Sequence, residues 1–159
     1  MGRVIRLDWG VKQSFRGYVE AAGGTIGVDG GAERTADGAF SFAAGPGEGL
    51  SFDADGTPSG LGAFVGEARF EAHGGMLSVC LADPALEVSP TGLVLTAADS
   101  VKRDWRGIIA TLDLAAATTD DQGEMIIPAA LAMDGIQVLG DHYPMRTALD
   151  PVRLTLDRR

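Results

Sequence analysis

The chain has 159 residues, 45% of them hydrophobic, with 23 glycines, a net charge of −9 and an isoelectric point near 4.5. That length suits one domain over residues 1–159, and the apolar content is enough for a core. The acid excess argues against nucleic acid and against anionic membrane surfaces, whose binders are basic, and no apolar run approaches the roughly 18 residues of a membrane span.

Residues 3–7 alternate weakly and read as a short strand, with Asp8 as the N-cap of a following helix. Val11, Phe15, Tyr18, Val19 and Ala22 recur at helical spacing and fall on one stripe, with Lys12, Gln13, Arg16 and Glu20 off it. Tyr18 is therefore placed on the buried side of the helix or at its margin. Gly23 and Gly24 end the helix. Short β runs follow at 25–28, at 38–42 and from Leu50, and then a loop at 53–62 rich in Asp, Gly, Thr, Pro and Ser.

Residues 64–88 hold one of only two histidines and read as a β-hairpin with its register set. Gly74-Gly75 is a two-residue turn that tolerates positive φ at both positions. His73 then sits opposite Met76, Ala72 opposite Leu77, Phe70 opposite Val79 and Ala68 opposite Leu81. Those three apolar pairs share one face, and Arg69, Glu71, Ser78, Cys80 and His73 fall on the other. His73 stands at the tip, turned away from the main core.

Residues 85–88 and 93–97 make a further strand pair, and 99–106 a charged connector carrying Trp105. A strand at 108–114 leads to a polar loop at 115–123. Residues 124–130 read as a strand that Pro128 marks as an edge, which leaves it open to pairing between two copies of the chain. A short helix at 131–140 and a closing strand at 152–156 complete the pattern. Many short strands, glycine turns and two short helices predict a mainly β fold, an antiparallel β-sandwich with two short α-helices.

Most catalytic patterns are absent: there is no Gly-x-Ser-x-Gly, no phosphate-binding loop and no dinucleotide glycine fingerprint. No His/Cys cluster has zinc spacing. Asp120-Asp121 lies in a polar loop and reads as solvated surface. The single cysteine, Cys80, excludes an internal disulfide and reads as a small packing residue, as do Trp9 and Trp105. What stands out is scarcity. The two tyrosines and two histidines are Tyr18, His73 and the adjacent His142-Tyr143. Each has an ordinary reading, a tyrosine at a core margin or a solvated histidine at a turn.

The segment Trp9-Gly10-Val11-Lys12-Gln13-Ser14-Phe15-Arg16-Gly17-Tyr18-Val19 resembles the opening motif of the HtaA-type haem-binding domain of bacterial haem-uptake proteins. Gly66, Phe70, His73, Gly75 and Leu77, followed by Leu81 and Asp83-Pro84, resemble its second motif. Tyr143-Pro144, Thr147 and Leu149-Asp150-Pro151-Val152 resemble its third. The three come in the family's order and span essentially the whole chain.

The resemblance implies a non-enzymatic β-sandwich domain that binds haem in a surface pocket, for transfer or storage. On this likeness Tyr18 is the axial ligand of ferric haem b, His73 supports it, and Tyr143 also contributes to haem binding. A phenolate is a hard anionic donor that suits ferric iron. The iron's charge and a hydrogen bond from a neighbouring histidine favour that form over the phenol. Haem is then the ligand, a haem donor or acceptor protein a further partner. His142 stands where the family leads one to expect an aromatic residue. Family members are typically exported or surface-anchored, which implies periplasm or cell surface. The N-terminus, in contrast, has no hydrophobic leader and points to a cytoplasmic chain. The missing leader and the acidic surface motivate an alternative: a haem-independent module of the same fold for another small apolar ligand or a protein partner. A haem enzyme is the third reading, and no distal acid–base pair beyond His142 suggests itself.

Overall fold

The structure is a computed structural model that describes residues 2–90, 92–99, 105–141 and 143–157. It opens with β1 (Gly2–Trp9) and α1 (Gln13–Ala21), then β2 (Thr25–Asp29), β3 (Glu33–Arg34), β4 (Phe40–Ala44), β5 (Ser51–Phe52) and β6 (Pro58–Ser59). Next come β7 (Leu61–Val65), β8 (Glu67–Ala72), β9 (Leu77–Ser89), β10 (Gly92–Ala98) and β11 (Arg106–Leu112). The chain closes with β12 (Thr118–Thr119), β13 (Met125–Leu131), α2 (Met133–Val138) and β14 (Ala148–Asp157). No helix among the described residues is long and apolar enough to cross a membrane.

The mainly β, antiparallel expectation agrees with the structure, but the two-layer sandwich gives way to a ring. β1 pairs with β14 along one edge and with β4 along the other. The order β4–β7–β9–β10–β11–β13–β14–β1 therefore returns on itself as a closed antiparallel barrel. Val4, Leu7 and Trp9 of β1 point into the core. With both edges of β1 partnered, the sheet has no free end at which a second layer would begin.

Pro128 does not mark an edge. β13 pairs with β11 on one side and β14 on the other. The proline sits where the β13–β14 ladder is irregular, between Ile127 and Ala129, so its missing N–H interrupts no regular bond. Its carbonyl accepts from the Asp113 N–H at 3.0 Å. The expected helix at 131–140 shrinks to α2, because Leu131 pairs with Ala110 in the barrel. Of the connector at 99–106, residues 100–104 lie outside the described ones, and Arg106 opens β11.

The hairpin register is the expected one: Ala72 pairs with Leu77, Phe70 with Val79 and Ala68 with Leu81. These six side chains are buried, while Arg69, Glu71 and Ser78 face outward. Gly74 and Gly75 take φ of 66° and 93° in a 3-10 turn over His73–Gly75. Cys80 is half-buried, its Sγ 3.6 Å from Glu67 Oε2.

The hairpin does not run along the barrel wall. β8 pairs with β2 and with the first half of β9, forming a three-stranded arm that leaves the barrel. At the joint, the Asp83 N–H donates to the Gly66 carbonyl at 2.7 Å, and the Gly66 N–H returns a bond to Asp83 Oδ1 at 3.1 Å. The arm carries His73 at its end. Phe70 ties its buried face to the barrel, edge-on to Phe40 at 5.4 Å between centroids.

Candidate functional site

The site begins with α1, which lacks a cap of its own. Asp8, expected as N-cap, belongs to β1, where it pairs with Ser41 and Arg153, and its carboxylate accepts from the Ser41 hydroxyl at 2.5 Å. Ladder pairing on both sides carries the strand past Asp8 to Trp9. The residue before the helix is Lys12, extended at φ −157° and ψ 121°, with no side-chain cap. The cap comes from the far end of the chain: Asp150 Oδ1 accepts the Gln13 N–H at 2.9 Å.

Phe15 and Val19 are fully buried, as their stripe predicts, and Arg16, placed off the stripe, is buried too. Its Nη1 donates to Asp150 Oδ2 at 2.7 Å and to the Gly10 carbonyl at 2.6 Å. A periodicity argument has no signal for this, since the partner of Arg16 is 134 residues away. Tyr18 is not on the buried side. It lies at the outward margin, 43% exposed.

The C-terminal end of α1 turns at Gly23, φ 74°, and the Gly24 N–H bonds the Val19 carbonyl at 2.9 Å. A Cβ on Gly24 would fall 2.2 Å from the Glu71 carbonyl oxygen. Glycine there lets the helix end lie against the arm just before His73. From that position Tyr18 Oη and His73 Nε2 share a hydrogen bond at 2.6 Å, with ring centroids 5.7 Å apart. The phenol O–H donates when Nε2 is bare, and Nε2–H donates when the proton has moved to the ring. His73 itself holds a left-handed φ of 55°, and Met76 stands 92% exposed beside it.

Tyr143 reaches the same helix one turn earlier. It is partly buried, its ring edge-on to Phe15 at 6.3 Å, with Lys12 Nζ 5.5 Å above it. His142 lies outside the described residues. A polar cavity of about 410 Å³ opens on the Arg16 flank of the helix, lined among others by Asp8, Trp9, Asp37, Asp150 and Arg153. The Thr35 hydroxyl donates to Asp37 and is the main reason that carboxyl is held below its usual range. Among the described residues no group of three or more His, Cys, Asp or Glu is arranged to hold a metal ion. The donor set at this margin is a phenol oxygen beside an imidazole nitrogen.

Fold and site together define a closed β-barrel domain with an exposed tyrosine–histidine pair between a short helix and a protruding arm. The HtaA family model (Htaa) matches residues 5–155, and the chain belongs to that family. Among solved structures it is similar to the C-terminal domain of HtaA from Corynebacterium glutamicum, with TM-score 0.72 and 24% identity over 97% of both chains. The N-terminal domain of HtaA from the same organism gives 0.71 and 23% over 99% of both chains. The haem-binding protein HtaB of that organism gives 0.65 and 20% over 95% of this chain and 91% of its own. At these identities the likeness speaks for the fold. No curated protein matches the sequence.

Proposed function

We propose that this domain binds ferric haem b without turning it over, with Tyr18 as axial ligand, His73 as its hydrogen-bond partner and Tyr143 as a further haem contact. The observation that carries the reading is the 2.6 Å Tyr18–His73 bond at an exposed margin. A buried tyrosine satisfying its hydroxyl would account for the bond, but a 43% exposed one spends a close partner where water is available. The donor chemistry fits the group: bound haem would supply a ferric Lewis acid for which a phenolate oxygen is a suitable ligand. His73 Nε2 is placed to receive the phenol proton and then to donate back to the phenolate, which both removes the proton and orients the oxygen. Exposed Met76 beside His73 adds apolar surface for a flat apolar ligand.

The open position of the pair suits exchange with a haem donor or acceptor protein, hence transfer or storage rather than catalysis. Family membership favours a place in the periplasm or at the cell surface. The test is a hemin titration followed by absorption spectroscopy, with Tyr18→Phe and His73→Ala alongside. Saturable binding with a phenolate-to-iron charge-transfer band, abolished in Tyr18→Phe, is the expected result. A spectrum unchanged in Tyr18→Phe would overturn the assignment, and no saturable binding in the wild type would overturn haem as the ligand.

A further inference from the structure

We infer that the Arg16–Asp150 pair is a positioning device that sets the rotation of α1 and so holds the Tyr18 oxygen on His73. The inference rests on the haem-ligand reading for its functional meaning, but its geometry stands without it.

The helix wheel gives the reason. At about 100° per residue, Phe15 and Val19 project about 40° apart and form the buried keel of α1. Arg16 projects about 60–100° to one side of that keel and Tyr18 an equal angle to the other. Apolar contacts at the keel are non-directional and leave a short helix free to roll. A roll moves both flanks at once. The Arg16 flank is fixed by directional bonds, to Asp150 Oδ2 at 2.7 Å in a partly buried setting and to the Gly10 carbonyl at 2.6 Å in a buried one. Tyr18 on the opposite flank is then fixed in turn.

Everything around Asp150 is built to hold that carboxylate still. Its Oδ1 takes the Gln13 N–H at 2.9 Å, its carbonyl takes the Trp9 Nε1–H at 2.8 Å, and its N–H donates to the Val11 carbonyl at 2.9 Å. Val11 is held at φ 66°, a rare backbone for a β-branched residue, and is fully buried. At Gly10 a Cβ would fall 2.4 Å from both Arg16 Nη1 and Asp150 Oδ2, so only glycine leaves room for the ion pair. Trp9, Gly10, Arg16 and Asp150 thus form one knot, none of whose members touches the phenol oxygen.

The test reads the Tyr18–His73 bond directly in the ligand-free protein, by the imidazole 15N shifts of His73, with Tyr18→Phe marking the broken bond. Asp150→Asn keeps an oxygen for the Gln13 N–H and loses the charge facing Arg16, and Arg16→Lys keeps the charge and loses the forked donor. Asp120→Asn, which breaks the Arg153–Asp120 ion pair elsewhere on β14, is the control for general destabilisation. The expected result is His73 signals displaced toward the Tyr18→Phe position in folded Asp150→Asn and Arg16→Lys, and unchanged in Asp120→Asn. With hemin, the first two variants should lose about 10-fold to 100-fold in affinity, with a weakened charge-transfer band. Wild-type His73 signals in either folded variant overturn the inference. So does failure of both to fold, since the pair would then serve the fold as a whole. Absence of hemin binding in the wild type with the His73 response intact would sink the haem reading alone.

Discussion

The rings of Phe15 and Phe70 meet at 5.1 Å between centroids, tilted by 58°, and this contact joins the helix that bears Tyr18 to the strand that leads to His73. Both are fully buried. The two polar groups of the site are thus carried on elements joined by one apolar contact, which sets how closely the helix and the arm approach while leaving the roll of the helix to its polar flank.

Phe15→Ala is therefore expected to cost stability and site geometry together. Truncating a buried phenylalanine costs about 3–5 kcal/mol, since the cavity adds to the lost transfer energy. Phe15→Leu should keep most of the stability. Urea unfolding of the two variants, with hemin affinity measured on Phe15→Leu, separates the effects. A loss under about 1 kcal/mol in Phe15→Ala would show that the helix is held by other means.

Removing the imidazole should do the opposite. His73 is exposed and its bond to Tyr18 lies at the surface, so His73→Ala should change unfolding free energy by no more than about 1 kcal/mol. On the proposed ligation by Tyr18, hemin dissociation should nonetheless become faster, because the phenolate would lose its hydrogen-bond donor. Stopped-flow transfer of hemin to a stronger acceptor measures this, and equal rates in variant and wild type would count against a role for His73.

Two neighbouring glycines give a sharper contrast. A Cβ at Gly24 meets the Glu71 carbonyl oxygen at 2.2 Å, while one at Gly27 meets nothing within 4 Å. Gly24→Ala should cost about 1–3 kcal/mol and push the helix end away from the arm. Gly27→Ala should be neutral or slightly stabilising, by up to about 1 kcal/mol, because glycine is a poor strand residue. Thermal melts of the two variants decide it, and similar melting temperatures would mean that the close approach at Gly24 relaxes freely.

Acid should weaken the barrel through its loop carboxylates. Asp120 is held below the usual carboxylate range chiefly by the Glu124 backbone N–H, then by the Gln122 N–H and Arg153. Asp37 is held low mainly by Thr35. A depressed folded-state pKa stabilises above the unfolded value, near 3.9, and that contribution is lost as pH falls through the folded value. Melting temperature should be flat near neutrality and fall below about pH 4, and Asp120→Asn should fall less steeply than the wild type. Parallel pH curves for the two proteins would remove Asp120 from the account.

Much of this architecture is legible in the residues, and the misses share a cause. The Ala72–Leu77, Phe70–Val79 and Ala68–Leu81 register follows from period-two alternation and a glycine turn, both local signals. Tyr18, His73 and Tyr143 stand out through scarcity and motif likeness, and the first two prove to be hydrogen-bonded. What sequence reasoning lacks is anything that depends on distant partners. Barrel closure rests on β1 finding β4 as well as β14. Pro128 looks like an edge marker until the irregular ladder around it is seen. Arg16 looks solvated because Asp150 is 134 positions away, and Asp8 looks like a cap because the true cap is the same distant aspartate. Even the exposure of Tyr18 depends on how far α1 rolls, which its own stripe leaves open by the width of one side chain.

The cap of α1 has a consequence in time as well as in space. The helix ends at Ala21, and its capping carboxylate follows far downstream, at Asp150. During translation the tyrosine therefore emerges on a segment that has neither its cap nor, until residue 73, its histidine. Closing a loop of this span is among the slowest contacts a chain makes. A nascent or truncated chain lacking the last strand holds Tyr18 on an uncapped helix, so the finished tyrosine–histidine pair waits until the barrel has shut.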